Sequence, residues 1–330
     1  MPARFDVAAV GNALVDVIAP ADDAFLATHR IAKGAMTLVD DASSAALYAA
    51  MAAGVETSGG SAANTVAGVA SFGGQAAFLG KVADDLLGKV FRHDITAQGV
   101  HFDGPALKNG PGTGRCLVNV TEDGQRTMCT CLGAADRLTV DDIDPAVCKS
   151  AAILYLEGYL FDPPPARLAF AKAAQLGRDA GRKIAITLSD AFVVERHRAG
   201  LLAFIDSEID IVFANEAEVT ALFQTDDFDA AAASLGARTR MACVTRGEKG
   251  SVILSDGAVE LIPAAKVDHV VDTTGAGDQY AAGVMFGLAR GLSAAVSGRL
   301  GALAAAEVIQ HYGPRPQTSL KALAQQGGLL

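Results

Sequence analysis

Short apolar runs recur along the chain, and stretches of helical periodicity lie between several of them. Phe5–Val10, Ala76–Val82, Ile153–Leu156, Ile184–Leu188, Ile209–Phe213 and Met241–Thr245 read as strands. Ala62–Phe72, Ala166–Leu176 and Glu216–Phe223 read as helices, and in the first of these Val66, Val69, Ala70 and Phe72 fall near one face. The alanine-rich patch Ala230–Ala233 also reads as helix. Strand–helix alternation on this scale predicts a layered α/β domain with a mostly parallel sheet. The hydrophobic residues are largely alanines and valines broken up by Gly, Asp and Lys, the pattern of a buried parallel sheet wrapped in helices. The expected core is three-layered, α/β/α, with about nine strands.

One stretch breaks the rhythm. Gly114–Val120, the turn Thr121-Glu122-Asp123-Gly124 and Gln125–Cys131 read as a β-hairpin. Gly34–Asp40 is also strand-like and has no helix just before it. These segments can pair into a small accessory sheet, either covering a site or decorating an edge. A second hairpin, Gly250–Ser255 and Ala258–Pro263 around Asp256-Gly257, reads as structural.

With 330 residues, 51% of them hydrophobic, the chain has enough to bury one large domain, or one domain with an appendage. No apolar run reaches the ~18–20 residues of a membrane span. Thirty-seven acidic residues against 27 basic ones give a net charge of −10, a poor match to a nucleic-acid polymer. A small anion at a helix N-terminus remains open. The cysteines number five, with no C-x-x-C spacing and no histidine pair at zinc spacing, so ordinary reduced thiols are expected. The opening residues lack a basic segment followed by an apolar one, which predicts a cytoplasmic protein.

Residues 272–278 read Asp-Thr-Thr-Gly-Ala-Gly-Asp, and Gln279–Arg290 then looks helical. Two glycines let the backbone turn closely into a helix start and leave N–H groups free for an anion. A carboxylate at 278 repels phosphate, but it suits a general base that takes a proton from an attacking hydroxyl. The plainer alternative is that Asp278 caps the helix. Residues 59–64, Gly-Gly-Ser-Ala-Ala-Asn, also open a helix; taken alone they read as a tight turn capped by Ser61, with Asn64 free to donate and accept. No Walker A loop is present, since Gly80-Lys81 is followed by Val82, and no dinucleotide fingerprint follows the first strand.

Together these motifs resemble the ribokinase-like (phosphofructokinase-B) family of carbohydrate and nucleoside kinases. The C-terminal motif D-T-x-G-A-G-D is complete at 272–278, and Gly-Gly-x-x-x-Asn, a helix and Gly-Gly occupy 59–74. Phe78–Gly88, the opening Gly11–Asp16 and Asn215-Glu216-Ala217-Glu218 follow the family pattern in the right order. The resemblance implies ATP-dependent phosphoryl transfer to an alcohol. Asp278 would be the base, the amides of Gly275, Ala276 and Gly277 the anion hole, and Arg126 a lid residue reaching the phosphate; an exposed turn arginine is the alternative for Arg126. Asp16, Gly59, Gly60, Asn64, Met36 and Tyr159 would hold the acceptor. Asn215, Thr245, Arg246, Gly247 and Thr274 would lie at the ATP, with Asn215 and Glu218 organising Mg²⁺ largely through water.

A β-lid built from 12–45 and 107–132 would cover the acceptor site of a core made from 1–11, 46–106 and 133–330. A monovalent cation such as K⁺ near Asp272 and Thr274 is also implied. Within the family the resemblance is strongest to the adenosine kinase branch, through Gly11–Asp16, Lys33–Asp40, Pro111–Gly114 and Leu156–Leu160. Adenosine, phosphorylated at its 5'-hydroxyl, is then the expected acceptor. A ribokinase- or fructokinase-like sugar kinase is the alternative, and a nucleotide-binding regulator without turnover is a further one. No membrane partner is expected. The chain would be a monomer or a dimer paired through its lids, a pairing for which Val118 and Val120 would supply an apolar outer face.

Overall fold

The computed structural model describes residues 3–330; residues 1 and 2, where the expected core segment begins, lie outside the described residues. In chain order the strands are β1 (Phe5–Val10), β2 (Leu14–Pro20), β3 (Met36–Leu38), β4 (Val55–Gly59), β5 (Ala76–Leu79), β6 (Val100–His101), β7 (Thr113–Val120), β8 (Arg126–Gly133), β9 (Ala151–Glu157), β10 (Lys183–Thr187), β11 (Ile211–Asn215), β12 (Met241–Thr245), β13 (Ser251–Ser255) and β14 (Ala258–Ile262). They form a nine-stranded sheet in the order β14-β13-β12-β11-β10-β9-β1-β5-β6 and a five-stranded sheet in the order β3-β8-β7-β2-β4.

From β12 to β6 every neighbour in the large sheet is parallel. Alternate residues of one strand therefore enter two different cores. Ala8 and Val10 of β1 pack with the helices Pro164–Asp179 and Ala191–Glu208 on one face, while Val7 and Ala9 pack with the helices Ser61–Ser71 and Ala276–Ala289 on the other. Such two-sided burial explains why the strands read as continuous apolar runs. The hairpin β13–β14 closes one edge through Asp256 and Gly257, both at positive φ, as a two-residue hairpin turn requires. The strands β9 and β1 are neighbours whose onward connections run in opposite directions, so a crevice opens beyond their C-terminal ends.

The smaller sheet lies over that crevice. Its hairpin β7–β8 is antiparallel, and Met36–Leu38 joins β8 in parallel, so the two extended segments read from sequence do share one sheet. Three details differ from expectation. Val55–Gly59, inside a segment expected in the core, is the edge strand beside β2; its polar Val-Glu-Thr-Ser-Gly sequence has no apolar run to mark it. The segment 12–45 is not all strand, since it contains the helix Asp23–Thr28 and the start of the helix Asp41–Ala50. Val118 and Val120 do not form an outer apolar face: both are buried, and Val118 lines the crevice. The opposite face, Val17, Leu117 and Cys129, is covered by Leu47 of the helix Asp41–Ala50. Among the described residues no helix is long and apolar enough to cross a membrane.

Candidate active site

A cleft of about 420 Å³ runs between the C-terminal ends of the parallel strands and the smaller sheet. Of the residues singled out from sequence, Asp278, Gly275, Ala276, Gly277, Arg126, Asp16, Gly60, Asn64, Met36, Tyr159, Asn215, Thr245, Thr274 and Glu218 all line it.

The helix Ala276–Ala289 opens on the floor of this cleft. Gly275 precedes it at φ 73°, and a Cβ there would lie 2.6 Å from the carbonyl oxygen of Pro314, so both the conformation and the space require glycine. No side chain caps the helix; Ala276 N donates to Thr273 O at 3.3 Å, and the opening turn 275–278 lines the cleft. Asp278 is the third helical residue, not the cap. Its carboxylate turns across to the neighbouring helix, accepting from Ser61 Oγ at 2.6 Å and Asn64 Nδ2 at 3.1 Å. Ser61 likewise caps nothing: Gly60 holds the cap position at φ 97°. Both plain capping alternatives therefore fail.

Asp272 fastens the loop 274–277 from below. Its Oδ1 accepts from Thr274 N at 2.9 Å and Thr274 Oγ1 at 2.5 Å, and its Oδ2 from Gly313 N at 3.0 Å. Arg126 reaches the same carboxylate from the smaller sheet, Nε to Oδ1 at 2.7 Å, with its side chain only 15% exposed. It is thus a bridge between the sheets and not an exposed turn arginine.

The acceptor half has a polar floor and an apolar roof. Asp16 is buried on β2, where it pairs with Thr57, and Gly59, paired with Leu14 on the same neighbouring strand, makes room for it: a Cβ at 59 would fall 2.2 Å from the Asp16 carboxylate. Gly59 itself is not part of the cleft wall, and its contribution is this space. Leu14, Met36, Leu38, Cys116, Val118, Met128 and Leu132 form the roof. Tyr159 lines the cleft with its hydroxyl donating to Ser189 O at 3.3 Å, while Leu160 is fully buried in the core.

Sequence reading missed Asn12, Glu157, Ser61 and Arg315. Glu157 accepts from Asn12 Nδ2 at 2.7 Å, Asn12 N at 3.3 Å and Ala62 N at 2.9 Å, tying the end of β9 to the turn after β1 and to a helix start. Gly11 allows this approach, since a Cβ there would meet Glu157 Oε2. The family spacing Gly-Asn was visible, but a partner 145 residues away was not.

Toward the other end, Asn215 and Glu218 form a reciprocal capping box. Asn215 Oδ1 accepts from Glu218 N at 2.8 Å, and Asn215 Nδ2 donates to Glu218 Oε1 at 2.7 Å. Thr245 ends β12 beside them. Arg246 and Gly247 do not line the cleft. Arg246 pairs with Glu216 at 3.1 Å and stacks on Phe228, 3.6 Å from the ring centroid, and Gly247 opens the turn Gly247–Lys249.

Four carboxyl groups thus converge on one cleft. Burial pushes Asp16, Glu157 and Glu218 each up to about 7. Burial also raises Asp278, against the pull of Ser61, Asn64, Arg126 and Arg315. No cluster of three His, Cys, Asp or Glu side chains among the described residues is arranged to hold a metal. Glu218 and Asn215 spend most of their polar capacity on each other, which fits a hydrated divalent ion held chiefly by phosphates, and an uncompensated buried carboxylate fits a nearby cation.

Comparison with known proteins names the class that fold and cleft belong to: the chain is an ATP-dependent kinase acting on a hydroxyl group. It belongs to the pfkB family of carbohydrate kinases, whose model matches residues 6–321. The chain is similar to the crystal structure of adenosine kinase from Sinorhizobium meliloti, with 48% identity, a TM-score of 0.95 and coverage of 98% of this chain and 100% of that one. It is equally similar in fold to a probable sugar kinase from Rhizobium etli CFN 42, with 46% identity, a TM-score of 0.96 and coverage of 99% and 100%. Adenosine kinase of Saccharomyces cerevisiae is 27% identical over 327 residues, covering 92% of this chain and 95% of the relative. The α/β fold with a large parallel sheet and a smaller second sheet is the ribokinase-like fold of these structures. Kinases of this family use ATP with a divalent metal.

Proposed function

We propose that the chain transfers the γ-phosphoryl group of ATP to the 5'-hydroxyl of a ribonucleoside, with adenosine as the preferred acceptor. The observation that carries this reading is the roof of the acceptor half: Leu14, Met36, Leu38, Cys116, Val118, Met128 and Leu132 offer a nucleobase an apolar wall directly above a buried carboxylate. A free pentose has nothing to place against that wall. Asp16 suits vicinal ribose hydroxyls, which both donate to it. No aromatic side chain lines the roof, so the base is held by methionine and aliphatic contacts, with Tyr159 at the margin.

In this reading Asp278 removes the proton of the 5'-hydroxyl as its oxygen bonds to the γ-phosphorus and the bond to the ADP oxygen breaks. The raised pKa makes it a stronger base than a solvated aspartate. The amides of Gly275, Ala276 and Gly277 face the charge that builds on the transferring group. The smaller sheet keeps water from taking the acceptor's place. Mg²⁺ would sit near Asn215 and Glu218 and neutralise phosphate charge when bound. A monovalent cation near Asp272 would share that side chain with the donors of Thr274 and Arg126 on Oδ1 and of Gly313 on Oδ2.

The sugar-kinase alternative draws support from the polar floor of Asn12, Asp16 and Glu157, which also suits a polyol. The test is ADP release with ATP and a panel of adenosine, other nucleosides, ribose and fructose. Adenosine is expected to exceed the free sugars in kcat/KM by about tenfold or more, since burying a nucleobase contributes more than the ~1.4 kcal/mol that a decade requires. Higher kcat/KM for a free sugar would overturn the nucleoside reading.

A further inference from the structure

Arg315 belongs to no motif, yet it stands directly behind the reacting groups. It lies in the loop after the helix Ala294–Val308, between Pro314 and Pro316, with its side chain only 8% exposed. Its Nε donates to Asn64 Oδ1 at 3.1 Å, and its Nη1 donates to Ser58 Oγ and lies 3.5 Å from Asp94 Oδ2. Nη2 is buried with no partner among the described residues. A buried arginine that leaves a donor unsatisfied is expensive to keep, which points to a role other than stability.

The loop that carries it is fastened to the catalytic motif at two points. Gly313 N donates to Asp272, and Gln279, the residue after Asp278, donates through Nε2 to Pro314 O and to Asn64 O, both at 3.0 Å. Gly275 packs its bare Cα against Pro314.

We infer that Arg315 is a positioning residue for phosphoryl transfer, holding the Asn64 amide so that its N–H₂ must face Asp278 and placing a fixed positive charge behind the two reacting-site carboxylates. The orientation follows from chemistry: guanidinium can only donate, so it selects the Asn64 oxygen and turns the nitrogen toward the carboxylate, which can only accept. Arg126 also faces Asp16 and Asp278, but it stands on the smaller sheet; Arg315 stands on the core and keeps its place whatever the sheet does. The other charged or titratable groups facing Asp278 are Asp16, Tyr155, Glu157, Tyr159 and Glu218, none of them positive.

The inference rests on the kinase reading, so wild-type turnover is measured first. In Arg315→Met, kcat is expected to fall about tenfold or more, the scale of one lost charge-assisted hydrogen bond, and the acidic limb of the kcat–pH profile is expected to move up by roughly one pH unit, the low end of a nearby charge's effect. Arg315→Lys keeps the charge but cannot grip Asn64 and Ser58 together, so the acidic limb should return while kcat stays reduced. A folded Arg315→Met with wild-type kcat and an unmoved limb overturns the inference. If Arg315→Met does not fold, Arg315→Lys decides alone, and wild-type kcat in it overturns the inference. If the wild-type protein phosphorylates no nucleoside or sugar, the kinase reading fails separately. The coupling is then read by NMR titration of the Asp278 carboxyl in both proteins, where an identical midpoint in Arg315→Met and wild type overturns it.

Discussion

Asp278→Asn keeps the size of the side chain and its place beside Ser61 and Asn64 while removing its basicity. Because the helix cap is Gly275, no capping energy is at stake in this change. We expect kcat to fall by ~10²–10⁴, the usual contribution of a placed acid–base group, with acceptor binding little changed. Near-normal turnover in stopped assays would remove Asp278 from the reaction. Gly59→Ala is the complementary test on the acceptor side. Its new methyl group would fall on the Asp16 carboxylate, so KM for the acceptor should rise while KM for ATP holds; equal changes in both would show a general loss of structure. What the sequence revealed at this scale depends on distance along the chain. Residues 275–278 and 215–218 stand out within a few positions, because each segment carries its own loop, helix start and polar group, and the cleft takes its lining from both. Arg315 reaches Asn64 across 251 positions, and Asn12 reaches Glu157 across 145, so nothing local marks their partners. The Pro-Arg-Pro sequence was the available signal, an arginine stiffened on both sides. Arg246 is a different case: its place at a strand end suggested the nucleotide, and Glu216 and Phe228 fix its guanidinium beside that strand end.

Among elements, the loop 272–277 depends on two neighbours more than on itself. Gly275→Ala would force a non-glycine residue to φ 73° and push against Pro314, a backbone strain of about 1–3 kcal/mol. Thermal unfolding should register that loss, and kcat should fall with it because the loop at 313–315 shifts too; unchanged melting would show that the loop absorbs a side chain. Across the cleft, the ion pair Arg126–Asp272 joins the smaller sheet to the same loop. In Arg126→Met the amides of β7 and β8 should exchange faster with solvent in the ligand-free protein. Unaltered exchange would mean that other contacts hold the sheet down. The strands of the large sheet were legible as apolar runs, because burial on both faces leaves no polar alternation. β4 was not, because it is a polar edge strand whose partner β2 comes from a distant part of the chain.

At the level of the whole molecule, the converging carboxyl groups make stability depend on pH in an unusual direction. Asp16, Glu157 and Glu218 titrate near 7 when folded, well above the ordinary 3.8 and 4.5 of solvated carboxylates. Between roughly pH 4 and pH 7 the folded chain therefore binds more protons than the unfolded chain, and these groups lower stability as pH rises through that window. Asp85, Asp94 and Asp162, held below their ordinary value by hydrogen bonds and arginines, act only below that range and do not offset it. The ligand-free protein should melt at a lower temperature at pH 7.5 than at pH 5. The slope should shrink in Asp16→Asn combined with Glu157→Gln, and in the presence of Mg²⁺ and ATP. A melting temperature that rises over the same interval would argue that these groups are solvated.

The smaller sheet has one further consequence. Its inner face belongs to the cleft, and its outer face is sealed by Leu47, Ile31, Val39 and Met51 of the same chain. A sheet covered on both sides cannot be stacked face to face on the sheet of another copy. If copies do not meet through this sheet, each chain would close over its own acceptor without a neighbour feeling it. Saturation with acceptor should accordingly be hyperbolic, with a Hill coefficient of one at every protein concentration, and a sigmoidal curve would mean that copies communicate by some route other than this sheet.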